Sequence, residues 1–180
     1  MVDAPGGRAY PRRISRVATL PRRVLVALLA LLALAGAAGC VTASPWTGPA
    51  GFRCPVPGPV SFTDDFGAPR GTRTHQGIDI FAPRGQANVA VVAGTVVQEF
   101  DATGGGNVVK LTAADGTRYV YMHLDRFQGA PRTVAAGETI GYTGSTGNVR
   151  GSPHTHYEVR PDGGAAVNPY AMLASVCTRT

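Results

Sequence analysis

The chain has 180 residues, enough for one domain plus a targeting segment. Seventeen lysines and arginines against eleven acids give a formal net charge of +6. The excess is local: residues 1–39 hold six of the arginines and one acid, Asp3, which leaves eleven bases against ten acids from residue 40 on. A nucleic-acid binder carries its basic patch on the folded domain, so a domain this near to neutral sets that class of partner aside.

Residues 1–39 read as a signal peptide. Arg8, Arg12, Arg13, Arg16, Arg22 and Arg23 come first, then an apolar run from Val24 to Ala35, then small residues up to Cys40. That is the charged, apolar, small-residue order of a secretory signal, and the run is short of the ~20 apolar residues a bilayer span needs. Ala37-Ala38-Gly39-Cys40 resembles a lipoprotein cleavage box in which Cys40 becomes the lipidated first residue, with Ala37 where leucine is usual. Ordinary cleavage near residues 35–39 and an uncleaved anchor are the other readings. In each of them the arginines stay inside and the domain is exported. Arg12-Arg13 and Arg22-Arg23 fit twin-arginine export as well.

If Cys40 takes lipid, Cys54 and Cys177 remain, one at each end of the domain. A disulfide between them is allowed outside the cell. It would close a loop of about 120 residues and contribute about 4–5 kcal/mol in the chain-entropy model. Residues 40–53 are expected to be a short tether rich in Pro, Gly and Ser, and residues 54–180 the domain.

From Cys54 on, glycine punctuates the chain and no long stretch repeats with a 3.6-residue period, which predicts an all-β fold. Asn88–Phe100 is valine-rich, with a turn or bulge expected at Ala93-Gly94-Thr95. Strands are expected over Asn107–Thr112 and Thr117–Leu124, joined through Asp115-Gly116, a strong hairpin signal. Glu138–Tyr142 and His156–Arg160 are further strands. Loops are expected at Thr103–Gly106 and Gly141–Pro153. In Tyr119–Leu124, alternation puts Tyr119, Tyr121 and His123 on one face and leaves Val120, Met122 and Leu124 as core.

The chemistry concentrates on four histidines, His75, His123, His154 and His156. His75 and Asp79 would stand about 13 Å apart on a straight strand. Zinc bonds to N and O are only ~2.0–2.2 Å long, so a shared metal requires the chain to bend between the two. Gly77 supplies the freedom for that bend. In His154-Thr155-His156, positions i and i+2 point the same way, so His154, His156 and Glu158 line one face and Tyr157 and Val159 the other. Two imidazoles side by side suit one metal ligand plus one neighbour that acts on the metal's water. A catalytic zinc keeps three protein ligands and one open position, whereas a structural zinc is closed by four, usually with cysteine. No cysteine lies near the histidines, and three ligands plus two spare imidazoles is the open arrangement.

These residues resemble a family. HQGIDIFAPRG at 75–85, AGTVV at 93–97, GNVVKLTAADG at 106–116, YMHL at 121–124 and AGETIGYTGSTGNVRGSPHTHYEVR at 136–160 are similar, in order and spacing, to the lysostaphin-type, LytM-like zinc metallopeptidases. The resemblance runs from Phe66 to Arg160. It implies a compact antiparallel β-sheet domain with a groove that holds one zinc ion, acting on peptides of bacterial peptidoglycan. Carried over by position, it makes His75, Asp79 and His156 the zinc ligands and His123 and His154 the catalytic pair, one the general base and the other the oxyanion stabiliser. Thr155 and Tyr157 stand where the family often has leucine and phenylalanine. Glu158 matches the family's glutamate, with a supporting role expected.

The protein is therefore expected to work outside the cytoplasm, at the membrane's outer face or the wall, held by lipid on Cys40, and as a monomer. Loops 100–106, 125–134 and 144–153 are expected to set specificity. Three rivals stand beside the peptidase. One is a relative without catalysis that activates other wall hydrolases, another a lipoprotein whose zinc is structural. The third is a sugar-phosphotransfer domain, whose cytosolic chemistry the export signal opposes.

Overall fold

The computed structural model describes Trp46, residues 48–149 and residues 151–180. The signal segment and Cys40 lie outside the described residues. Among the described residues no helix is long and apolar enough to cross a membrane.

Among the described residues, eleven strands form three antiparallel sheets. The largest has six strands in the order β3 (Ile78–Phe81), β11 (His154–Arg160), β7 (Arg118–Leu124), β6 (Gly106–Thr112), β5 (Gly94–Asp101) and β9 (Arg132–Val134). A three-stranded sheet runs β4 (Ala87–Val89), β10 (Thr139–Tyr142), β8 (Arg126–Phe127). The two-residue strands β1 (Pro69–Arg70) and β2 (Arg73–Thr74) pair as a small hairpin. The expected all-β antiparallel class is what the chain adopts. A 3-10 turn at Pro161–Gly163 and an α-helix, α1 (Tyr170–Val176), follow the last strand; seven residues are too few to print a helical period on the sequence.

Strand alternation explains the core. Val96 on β5, Val109 and Leu111 on β6, Tyr119 and Tyr121 on β7, and Tyr157 and Val159 on β11 all turn to one side of the large sheet, where they are buried. Ile140 of β10 and Leu173 of α1 pack in the same cluster. The Tyr121 hydroxyl donates to the Val89 carbonyl at 2.9 Å and accepts from the Val91 amide at 3.3 Å, which fastens β7 to the chain around β4. Each fully buried Val, Leu or Ile adds about 1.5–3 kcal/mol over its exposed state. The opposite face of the sheet is left open, and the chemistry sits there.

The hairpin through Asp115-Gly116 forms as expected, with Gly116 at φ 84° and β6 and β7 in register from Val109↔Tyr121 to Thr112↔Arg118. The valine-rich stretch breaks at residues 90–93, between β4 and β5, slightly before the expected turn. Packing begins ahead of Cys54: Phe52 is buried in the core, and Trp46 meets it edge-on at 5.6 Å between ring centroids. Two residues of the expected tether thus belong to the hydrophobic cluster, because an indole and a phenyl ring bury where Pro, Gly and Ser do not.

A disulfide joins Cys54 to Cys177. Beside it the Val60 amide donates to the Thr178 carbonyl and the Thr180 amide to the Val60 carbonyl, each at 3.0 Å. The two ends of the domain are therefore laced together.

Candidate metal centre

Local folding brings three side chains to one point at the sheet's edge. The chain turns between His75 and β3, as a metal shared by His75 and Asp79 would require, but the reason for glycine is proximity rather than an unusual φ. A Cβ at Gly77 would run into the Tyr157 carbonyl and lie 2.9 Å from the His156 imidazole. The turn lets the His75 Nε2 come within 3.0 Å of Asp79 Oδ1. β3 pairs with β11 so that Asp79 stands directly opposite His156. His156 Nδ1 is 3.0 Å from the same carboxylate oxygen and 2.8 Å from His75 Nε2.

The outward ring nitrogens already have partners. His75 Nδ1 donates to the Asp65 carbonyl at 3.0 Å, with an Asp65 carboxylate oxygen at 3.2 Å. His156 Nε2 donates to Glu158 Oε1 at 3.1 Å, and Glu158 is held in turn by Arg160 at 2.7 Å. Arg70 takes the far oxygen of Asp79 at 3.0 Å and an Asp65 oxygen at 3.1 Å. Asp65, His75, Asp79 and Arg70 thus close a ring of contacts. The pattern leaves His75 Nε2, His156 Nδ1 and Asp79 Oδ1 facing each other, three lone-pair donors within 4.8 Å. Donors packed this closely repel unless a cation or a proton lies among them, and imidazole and carboxylate together suit zinc. With the other ring nitrogen of each histidine tied to an oxygen acceptor, the set fits that metal.

The electrostatics agree. Burial works to raise the Asp79 carboxyl, but hydrogen bonds and charge from His156 and His75 outweigh it and hold the group far below the usual carboxylate range. Burial opposes charge on His156, yet its bonds to Asp79 and Glu158 raise its pKa.

His154 and His123 stand beside this cluster. Their rings are 5.1 Å apart, and His123 is 6.1 Å from His156. His154 Nδ1 donates to the Ser152 carbonyl and His123 Nδ1 to the Thr146 carbonyl, both at 3.0 Å, so each Nε2 remains free. His154 Nε2 lies 3.7 Å from Asp79 Oδ1. Burial, with the charge of His154 beside it, pushes the His123 pKa down to about 4. The alternation expected for β11 holds: His154, His156 and Glu158 face the cleft while Tyr157 and Val159 face the core.

The faces expected for β7 are not the ones adopted. Residues 119–122 alternate, but Tyr119 and Tyr121 are core, where Val120 and Met122 were expected, and Val120 and Met122 line the open face. His123 then departs from the alternation at φ 66°. This left-handed residue breaks the period of two, so the neighbours Met122 and His123 both line the cleft and Leu124 is core as expected. Simple alternation would have sunk His123 beneath the sheet. Non-glycine residues in this region are uncommon and cluster at functional sites.

The five residues open onto a cleft of about 400 Å³. Of the loops expected to line it, Asp101–Gly105 and Asn148–Val149 do so, and none of residues 125–134 does. Its other wall is the β1–β2 hairpin with Arg70, Arg73 and Thr74. Asp65 and Arg70 were not anticipated. They lie ten and five residues before His75, at no recognisable ligand spacing.

A small antiparallel β scaffold whose open face carries an imidazole–carboxylate cluster is a known peptidase architecture. The chain superposes on the catalytic domain of the antimicrobial peptidase lysostaphin from Staphylococcus simulans with a TM-score of 0.59 and 31% identity, covering 64% of this chain and 92% of that one. The chain belongs to peptidase family M23, whose pattern matches residues 73–169. It is 41% identical over 100 residues to the DD-carboxypeptidase/endopeptidase Mpg of Neisseria meningitidis, covering 56% of this chain and 23% of the relative. It is 36% identical over 124 residues to the murein hydrolase activator NlpD of Salmonella dublin, covering 68% and 31%. The chain thus spans less than a third of the length of either curated relative.

Proposed function

We propose that the protein is a zinc-dependent endopeptidase that hydrolyses peptide bonds in bacterial peptidoglycan. One observation carries this reading: His75, Asp79 and His156 converge within 4.8 Å while two further imidazoles with free Nε2 atoms stand beside them. A closed structural site has no use for the two extra rings. Zinc in such a site supplies Lewis acidity, polarising a scissile carbonyl and acidifying water.

His75, Asp79 and His156 are the ligands in this reading, oriented by Asp65, Arg70 and Glu158. His154 and His123 form the proton-handling pair. A neutral imidazole whose Nδ1–H is fixed on a carbonyl presents a lone pair at Nε2, ready to take a proton from an attacking water. The same atom, once protonated, gives that proton to the leaving amine. Its partner, in the protonated or hydrogen-bonded form, stabilises negative charge growing on the carbonyl oxygen. In this reading the N-terminal arginine-and-apolar segment exports the enzyme, and lipid on Cys40 holds it at the outer face of the membrane.

The relationship to NlpD supports a second reading, activation of other wall hydrolases without catalysis. The full set of five groups speaks for hydrolysis. Incubating the zinc-loaded protein with purified peptidoglycan and identifying released fragments by mass spectrometry separates the two. New peptide ends should appear, vanish with chelator, and vanish in His154→Ala while zinc stays bound. Stoichiometric zinc with no new ends from any wall type would leave the activator reading.

A further inference from the structure

The open face of the large sheet continues from the metal cleft into a second hollow of about 280 Å³. Asp101, Met122 and Glu158 border both. Its charges pair off in a particular way. Lys110 meets Glu99 at 2.5 Å and Arg160 meets Glu158 at 2.7 Å. Asp101 accepts from the amides of Thr103 and Gly105 at 2.8 and 2.9 Å. That leaves Arg118, which also lines the hollow and has no carboxylate within 4.0 Å among the described residues.

Arg118 stands directly across the β7–β11 pair from Arg160. Like charges opposite each other on neighbouring strands destabilise the pairing. An anion over them removes that penalty, and a guanidinium grips a carboxylate with two parallel hydrogen bonds. Alternation turns Arg160 to the same side as His154, His156 and Glu158. Arg160 lies four positions along β11 from His156, about 13 Å at the usual strand rise. An extended peptide covers that distance in about four residues.

We propose that this hollow is a carboxylate subsite, in which Arg118, supported by Arg160, holds a free carboxylate of a wall peptide about four residues from the bond placed at the metal centre. The orientation of the substrate rests on the peptidase reading, whereas the charge recognition does not. The subsite makes the protein selective for acidic wall peptides over uncharged ones.

The test uses the full chain and two probes, tetra-alanine as the free acid and as its C-terminal amide, titrated by NMR against the metal-free protein. The free acid should bind about tenfold tighter than the amide and shift the Arg118 side-chain resonance, as expected for a charge-assisted bidentate contact. Arg118→Gln should bind both probes equally, with zinc content unchanged as the check on folding, and Arg118→Lys should keep part of the preference. Equal binding of acid and amide by the unaltered protein overturns the subsite, as does a preference that survives in Arg118→Gln. In parallel, zinc-loaded protein is given peptidoglycan with its carboxylates free or amidated. Acid preference without cleavage would retain the subsite and sink the peptidase reading; cleavage with no acid preference would do the reverse.

Discussion

Arg70 touches no ring nitrogen, yet it determines which oxygen of Asp79 faces the histidines. Its guanidinium occupies Oδ2 at 3.0 Å, which leaves Oδ1 for the cluster. Removing a group that orients a metal ligand costs about 10–100-fold in metal affinity. Arg70→Ala should weaken zinc binding by that factor in a chelator competition assay while the melting temperature of the metal-free protein changes little. An affinity equal to that of the unaltered protein would mean that Asp79 orients itself. His123 permits a second prediction at this scale. Its folded pKa, about 4, lies below the unperturbed value of about 6.5. The unfolded chain therefore takes up this proton first as pH falls. The stability this adds is complete above about pH 6.5 and is lost as pH drops through about 4. NMR titration of the metal-free protein should place the His123 midpoint near 4, well below that of a free imidazole.

At the scale of elements, the site depends on a close approach between two strands. Asp79 and His156 are cross-strand partners, and Gly77 passes against the Tyr157 carbonyl. A methyl group there has no room, because the obstructing atom is backbone rather than a flexible side-chain tip. Gly77→Ala should push the His75 turn off the sheet and lose zinc stoichiometry, measurable by atomic emission, at a cost of about 1–3 kcal/mol in stability. A fully metallated Gly77→Ala protein would contradict this account. The same scale shows what could be read from the sequence. The paired histidines of β11 and the Asp115-Gly116 hairpin were legible, because each follows from a strand period or a turn preference, whereas the pairing of His75 with Asp79 followed only from the family resemblance. The faces of β7 were not legible, since a strand with tyrosines on one side and Val120 and Met122 on the other does not say which side is core, and one left-handed residue, His123, interrupts the alternation. Asp65, Arg70 and the β1–β2 wall were invisible for a different reason. Their roles arise from contacts across a turn, which no period records.

For the whole molecule, the disulfide ties the two ends of the domain to each other. Cys54 and Cys177 are 123 positions apart, so their bond removes much of the freedom of the unfolded chain. In the chain-entropy model this contributes about 4–5 kcal/mol, equivalent to about 10–20 °C in Tm for a domain of this size. Reduction should lower the melting transition by that amount and leave zinc affinity as it was, because the bridge lies at the ends of the domain and the ligands lie on β3, β11 and the turn before β3. A transition unmoved by reductant would show that the hydrogen bonds around Val60 hold the ends without help.

The bridge also changes what a cut in the chain means. Between Cys54 and Cys177 the polypeptide is covalently a ring with two tails, so a single break at an exposed turn such as Asp115-Gly116 opens the ring without dividing it. Both pieces remain one molecule, with β6 on one side of the nick still hydrogen-bonded to β7 on the other. The domain can thus survive a first proteolytic nick with His75, Asp79 and His156 in place. It comes apart only when a second cut or a reductant arrives.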